Sequence, residues 1–224
     1  MNFVAIGLGN FGASLAKTLT SMGHDVLGVD INNDKVEFFK DRVANTICLD
    51  ATDPHTLKLL PVKEADVFIL CIGDDFGVSI KIAALLKKLG AKKVICRESS
   101  SIHLTVLNAI GITDTINPEW ESAQVLAQKL VLSGILNLFS ITDTLKIVDL
   151  TIPDSLINQK FSPSWFKEHT HLKIIALKRN QKILYSSSQP REDQDIDDLV
   201  YQHDDILVLT GDIKDIRKFL KEEK

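Results

Sequence analysis

Short apolar runs alternate with segments of helical period along the first 118 residues of this chain. Residues 2–6 form an apolar run of the buried-strand kind, and 12–22 then carry apolar side chains at helical spacing. The pair repeats: strands over 25–29, 46–49, 67–72, 93–96 and 114–116, with helices over 34–43, 55–60, 78–89 and 102–110. Gly90 and Gly111 stand where two of those helices should end. Such alternation predicts an α/β parallel sheet with right-handed crossovers and helices on both faces. A longer helix is expected over 119–139, amphipathic over 121–129 and apolar over most of its surface from 130 to 139. A helix that leaves a domain while still apolar packs on another domain or another chain. From residue 145 the pattern changes to alternation, with Leu145, Ile147 and Asp149 on one side and Lys146, Val148 and Leu150 on the other. Ser162 is placed to cap a short helix with Pro163 at its first position. Strands over 172–177 and 182–185 read as a hairpin about Arg179-Asn180. Residues 206–210 read as a strand ended by Gly211, and 212–220 as a closing helix.

The sequence Ile6-Gly7-Leu8-Gly9-Asn10-Phe11-Gly12 places GxGxxG directly after a strand and directly before a helix. Gly7 permits the tight turn, Gly9 lets backbone approach a pyrophosphate, and Gly12 lets the helix pack closely on the sheet. The helix N-terminus presents free N–H groups to an anion. Asp30 closes the second strand, where a carboxylate can accept from a ribose hydroxyl pair. The fold class is therefore α/β, a Rossmann-type doubly wound parallel sheet with a smaller C-terminal α+β domain. The expected division is 1–118 for the nucleotide-binding domain, 119–141 for a linking or crossover helix, and 142–224 for the second domain. An acid at position 30 argues against a 2′-phosphate and hence against NADP. NAD, ATP and ADP stay open, since all three share the adenosine diphosphate half that this motif reads. The bland alternative is a glycine turn in a Rossmann-like core that binds nothing.

Composition is ordinary for a globular protein, with 45% hydrophobic and 25% charged residues and a net charge of −4 that divides evenly about Ser140. No basic face is concentrated anywhere, which disfavours nucleic acid as a partner. The longest apolar stretch is too short to cross a bilayer and no signal-like segment opens the chain, so a cytoplasmic location is expected. Cys48, Cys71 and Cys96 sit in or beside apolar runs without zinc-site spacing and read as reduced core thiols.

In combination, Ile6 to Gly12, Val29-Asp30-Ile31-Asn32, Asp50-Ala51-Thr52-Asp53, Cys71-Ile72-Gly73-Asp74, Arg97 and Asn117-Pro118-Glu119 resemble the RCK domain, also called KTN or TrkA-N. The part from Ile147 through Val208-Leu209-Thr210-Gly211 is similar to its TrkA-C companion. The resemblance implies a regulatory subunit that gates a separate membrane-embedded potassium channel or transporter. It further implies a homo-oligomer, a dimer building a tetrameric or octameric ring, associated peripherally with the inner face of the membrane. Gly7, Gly9, Asn10, Phe11 and Gly12 would cradle phosphates, and Asp30 with Ile31 would hold the ribose. Asp50 and Ala51 would meet the adenine edge, while Cys71, Ile72 and Gly73 would lie across the crevice. Glu119 matches an acid that in relatives lies near the terminal phosphates or an associated divalent cation; it equally suits a helix N-terminus. Relatives commonly carry Arg where this chain has Asn10, and Asn supplies no charged fork. Discrimination of ATP from ADP by that contact is not expected, and NAD(H) or an ADP/AMP-type ligand gains. Arg97 is read as structural, pairing with Glu98 or another acid. The C-terminal domain is similar to ones that bind a second ligand, in some members cyclic di-AMP, though nothing at Ile157, Phe161 or Ile174 itself requires one.

Two other classes compete. An NAD-dependent oxidoreductase would need a general acid or base near the nicotinamide, and no histidine is placed for it by spacing. His169-Thr170-His171 lacks a third metal ligand, and the acid-rich stretch 192–205 lacks EF-hand spacing. A nucleotide-binding scaffold without a transport role is the third reading. Gating is expected to work through the angle between paired domains, carried by the apolar helix over 130–139.

Overall fold

A computed structural model describes residues 1–131, 134–188 and 198–222. The chain divides into two compact units, Met1–Trp120 and Glu121–Lys224.

The first unit holds strands β1 (Asn2–Ile6), β2 (Asp25–Asp30), β3 (Asn45–Cys48), β4 (Val67–Leu70), β5 (Val94–Arg97) and β6 (Thr115–Ile116). They form one parallel sheet in the order β3-β2-β1-β4-β5-β6, the doubly wound arrangement that the alternation predicts. Helices α1 (Asn10–Ser21), α2 (Asn33–Phe39), α3 (Pro54–Leu57), α4 (Phe76–Leu89) and α5 (Ser101–Ala109) connect them. All four residues of β4 are buried, as a central strand covered on both faces requires. Val4, Ile6, Val29, Phe68, Leu70, Ile82, Leu86 and Leu107 build the main core. Helix starts follow from short polar side chains: Asn32, Asp53, Asp75 and Ser100 each accept from an amide in the first turn they precede. Gly90, at φ +85°, ends α4 as its sequence position suggests.

Helix α6 (Pro118–Val131) begins in the first unit and ends in the second, with none of its described residues buried. It stops short of the helix expected over 119–141. Gly134 takes a left-handed φ of +89°, and Ile135–Ser140 is a strand, β7, antiparallel to β8 (Leu145–Thr151). Ile135 and Leu138 are buried there while Phe139 is exposed. A run apolar on all sides satisfies either period, and pairing with β8 selects the strand.

The second unit also contains α7 (Pro163–Thr170), β9 (Lys173–Arg179), β10 (Lys182–Ser186), β11 (Asp205–Asp212) and α8 (Ile213–Glu222). Its sheet is antiparallel in the order β10-β9-β11-β8-β7. Along β8 the buried face carries Lys146, Val148 and Leu150, and the Lys146 ammonium donates to the Ser140 hydroxyl and the Thr142 carbonyl, each at 2.9 Å. Ser162 caps α7 at the Trp165 amide. Two local expectations shift. The hairpin turns on Asn180 and Gln181, both at positive φ, rather than Arg179-Asn180. Gly211 lies inside β11 instead of ending it, because the pairing with β8 runs on through Gly211–Lys146 and Asp212–Leu145. Phe161 and Ile174 are core residues and Ile157 packs against them.

Candidate functional site

The chain turns in opposite directions from β1 and β4, the two central strands, which leaves a crevice beyond their carboxyl ends. It measures about 700 Å³. Gly7, at φ +99°, makes the turn out of β1, and its amide donates to the Val29 carbonyl at 2.7 Å. Only glycine adopts that φ without strain. Gly9 precedes α1 with nothing within 4 Å of the place a Cβ would take, so the space above it is open. No side chain caps α1, unlike α2, α3, α4 and α5, and no acid stands in its first turn. That helix end is thus free to meet an anion. Gly12 is not part of the crevice wall: a Cβ there would run into the Gly7 carbonyl oxygen and lie 2.8 Å from the Cys71 Cβ. Its role is close packing of α1.

Asp30 ends β2 and is 6% exposed. One carboxylate oxygen accepts from the Leu8 amide at 2.7 Å, the other from the Asn32 amide at 2.9 Å. The Lys35 ammonium lies 3.7 Å away. A carboxylate offers about four acceptor sites, so capacity for two further donors remains. Asp30 thereby pins the glycine turn as well as facing the crevice. Ile31 is exposed on the rim beside it, and Leu49, Asp50, Ala51 and Thr52 continue the wall. The Thr52 hydroxyl and then its amide, at 2.8 and 2.9 Å, hold the Asp50 carboxyl below the usual carboxylate range. Both bonds fall on Oδ1, leaving Oδ2 to accept from a ligand.

Across the crevice lie Cys71, Ile72, Gly73, Asp74 and Asp75, with Arg97 and Glu119 at the same side. Burial pushes the Cys71 and Cys96 thiols up to about 12, so neither is a nucleophile. Cys48 is exposed, against the expectation of three core thiols. The Arg97 guanidinium pairs with the Glu119 carboxylate, not with Glu98. The guanidinium lies over Gly73, where a Cβ would sit 2.6 Å from the Arg97 Cζ and displace it.

The structure thus brings together Gly7, Gly9, Asn10, Phe11, Asp30, Ile31, Asp50, Ala51, Cys71, Ile72, Gly73 and Glu119 in one wall, leaving out Gly12 alone among the residues expected there. Sequence reasoning missed Lys35 and set Arg97 aside. Lys35 stands three residues after the Asn32 cap and Arg97 ends a strand beside the switch point, positions that the rule for open parallel sheets marks as ligand-facing. Five carboxylates and two cations line the crevice, a formal excess of three negative charges. No histidine is among the lining residues. His103 is fully buried, with a pKa lowered by burial. Among the described residues no group of acids, histidines or cysteines could hold a metal ion. The His169 side chain and residues 189–197 of the acid-rich region lie outside the described residues. No described helix is long and apolar enough to cross a membrane.

The TrkA-N domain family matches residues 3–118. Ktr system potassium uptake protein A of Bacillus subtilis (strain 168) is 30% identical over 220 residues, covering 98% of this chain and 96% of its own. Ktr system potassium uptake protein C of the same organism is 27% identical over 219 residues, with the same coverage of both. Among solved structures, the GsuK RCK domain superposes with a TM-score of 0.62 at 18% identity, covering 98% of this chain and 46% of that one. The GsuK channel bound to NAD gives 0.61 at 18%, covering 98% of this chain and 39% of that one. This chain spans less than half of either GsuK chain, and the likeness to them is one of fold. On the match over its first unit and its identity to Ktr protein A, the chain belongs to the TrkA-N family.

Proposed function

We propose that this chain is a nucleotide-sensing regulatory subunit controlling a separate, membrane-embedded potassium channel or transporter subunit, and that it catalyses no reaction itself. It works as a homo-oligomer on the cytoplasmic side of the membrane, held there by its partner. The observation that carries this reading is a pairing within one crevice. An uncapped helix start over an open glycine turn faces a buried carboxylate with acceptor capacity left over. Similarity to the Ktr uptake proteins over 96% of their length supplies the transport context. The absence of a histidine from the wall and the raised thiol of Cys71 leave a redox or acyl-transfer reaction without a proton carrier or nucleophile of those types.

The ligand is an adenine nucleotide. Gly7, Gly9, Asn10 and Phe11 would hold its pyrophosphate, Asp30 its ribose, and Asp50 its exocyclic amine. The excess of carboxylates ranks the candidates: NAD, whose cationic nicotinamide offsets part of its charge, meets less repulsion than ADP or ATP. ATP would enter with a divalent cation. A cyclic di-AMP site forms no part of this reading.

Calorimetric titration with NAD, NADH, ADP and ATP tests the sensing half. Saturable binding is expected, with NAD tighter than ATP when divalent ions are chelated. Silence from all four ends the proposal. Potassium uptake by vesicles carrying a Ktr-type membrane subunit tests the other half: added chain should make flux depend on the nucleotide. Oxidation of NADH with small carbonyl substrates would instead establish an oxidoreductase.

A further inference from the structure

We infer that Arg97 is the phosphate-binding side chain of the crevice and that Glu119 occupies it until a nucleotide phosphate takes the carboxylate's place. This rests on the nucleotide reading above. Arg97 ends β5, one residue beyond the Leu70–Cys96 pairing with β4, so its side chain reaches the crevice wall from the neighbouring strand. A Cβ at residue 73 would meet Cζ, Nη1 and Nη2 at 2.6, 2.7 and 2.8 Å. Three near-equal distances mean that the guanidinium plane lies face-on against Gly73. Its Nη2 donates to the Glu119 carboxylate, while Nε is buried with no hydrogen-bond partner among the described residues.

The two members of the pair differ in how firmly they are held. The Arg97 side chain is 21% exposed and seated on Gly73, whereas Glu119 is 62% exposed. Glu119 keeps access to water when it lets go, so an exposed pair of this kind is weak. A phosphate carries more charge, presents more acceptor oxygens, and suits an arginine fork at least as well as a carboxylate does. It competes from a crevice whose only other lining cation, Lys35, is engaged by Asp30. Asn10 contributes no charge on the glycine side. Arg97 is therefore the cation available to the ligand's phosphates, and once a phosphate is seated there its charge repels the Glu119 carboxylate.

Release of Glu119 alters the first turn of α6. Trp120 follows it directly, is 61% exposed, and donates its amide to the Asn117 side chain at 3.0 Å. Exchange at Arg97 thus becomes visible in the indole.

ADP is titrated into the parent chain, Arg97→Gln, Glu119→Gln and the double variant, by calorimetry with divalent ions chelated. Trp120 fluorescence is read in a Trp165→Phe background. Arg97→Gln is expected to weaken ADP about tenfold or more, as loss of a charge-assisted hydrogen bond does. Glu119→Gln should tighten ADP severalfold, the gain should vanish in the double variant, and ADP should shift Trp120 emission only where Glu119 and Arg97 are both present. Weaker ADP binding in Glu119→Gln, or unchanged binding in Arg97→Gln, overturns the inference. Glu119 is a surface residue, so its variant reports even if Arg97→Gln fails to fold. A parent chain that binds neither ADP nor NAD removes the nucleotide reading itself, a different failure from the wrong response of a chain that does bind.

Discussion

Asp30 and Asp205 are both buried carboxylates at the end of a strand, one in each unit, and they are satisfied in different ways. Asp205 takes a two-pronged contact from Arg179, at 2.6 and 2.9 Å, and the Gln202 amide at 2.9 Å. It is 1% exposed. Asp30 receives two amides and an ammonium at 3.7 Å, and its free acceptor sites face an open crevice. The sheets explain the contrast. Antiparallel neighbours bring side chains of both strand ends against each other, so Arg179 at the end of β9 faces Asp205 at the start of β11. Parallel strands gather all their carboxyl ends on one edge, together with the helix starts that follow, and the charges there meet solvent or a ligand.

The largest effect that separates the two sites is expected from Asp205→Ala. Leaving Arg179 partly buried without its counter-charge, held only by the Val200 carbonyl, costs about 3 kcal/mol of stability. Chemical denaturation should detect it, with nucleotide affinity unchanged; equal tolerance at Asp205 and Asp30 would erase the distinction. Asp30→Asn should reverse the pattern, weakening nucleotide binding by about 1.5–3 kcal/mol for a charged acceptor while the fold survives. A smaller, pH-dependent effect belongs to His103. Its pKa is lowered by burial from the ordinary 6.5, with Glu98 opposing. Below that value the unfolded chain binds a proton that the folded chain refuses, so stability is full above pH 6.5 and declines as pH falls toward the folded pKa. Melting temperatures of His103→Gln measured from pH 7.5 to 5 should fall less steeply than the parent's. The smallest perturbation is chemical: under native conditions a thiol reagent should modify Cys48 and spare Cys71 and Cys96, which all become reactive on unfolding.

Much of the first unit was readable because its signals are local. Gly7 needs its φ, Asp30 follows at a fixed distance along one strand–turn–helix path, and the Asn32, Asp75 and Ser100 caps act within three residues. The misreadings share a different cause. Residues 130–139 are apolar enough to suit either period, and β8, later in the chain, settles the matter. Gly211 looks like a strand end until the pairing with β8 is seen to run on through it to Asp212. Cys48 belongs to an apolar run, yet β3 is an edge strand with one face unprotected.

The residue order by itself determined the α/β alternation, the glycine turn and the carboxylate one strand over, because backbone sterics and short-range hydrogen bonds act between near neighbours. Only the folded chain decided that Arg97 faces Glu119 across Gly73, that Lys35 stands by Asp30, and that Gly12 serves packing alone. Those relations depend on which strands lie side by side. Strand order is set by the summed burial of the whole sheet, which no local stretch of sequence contains.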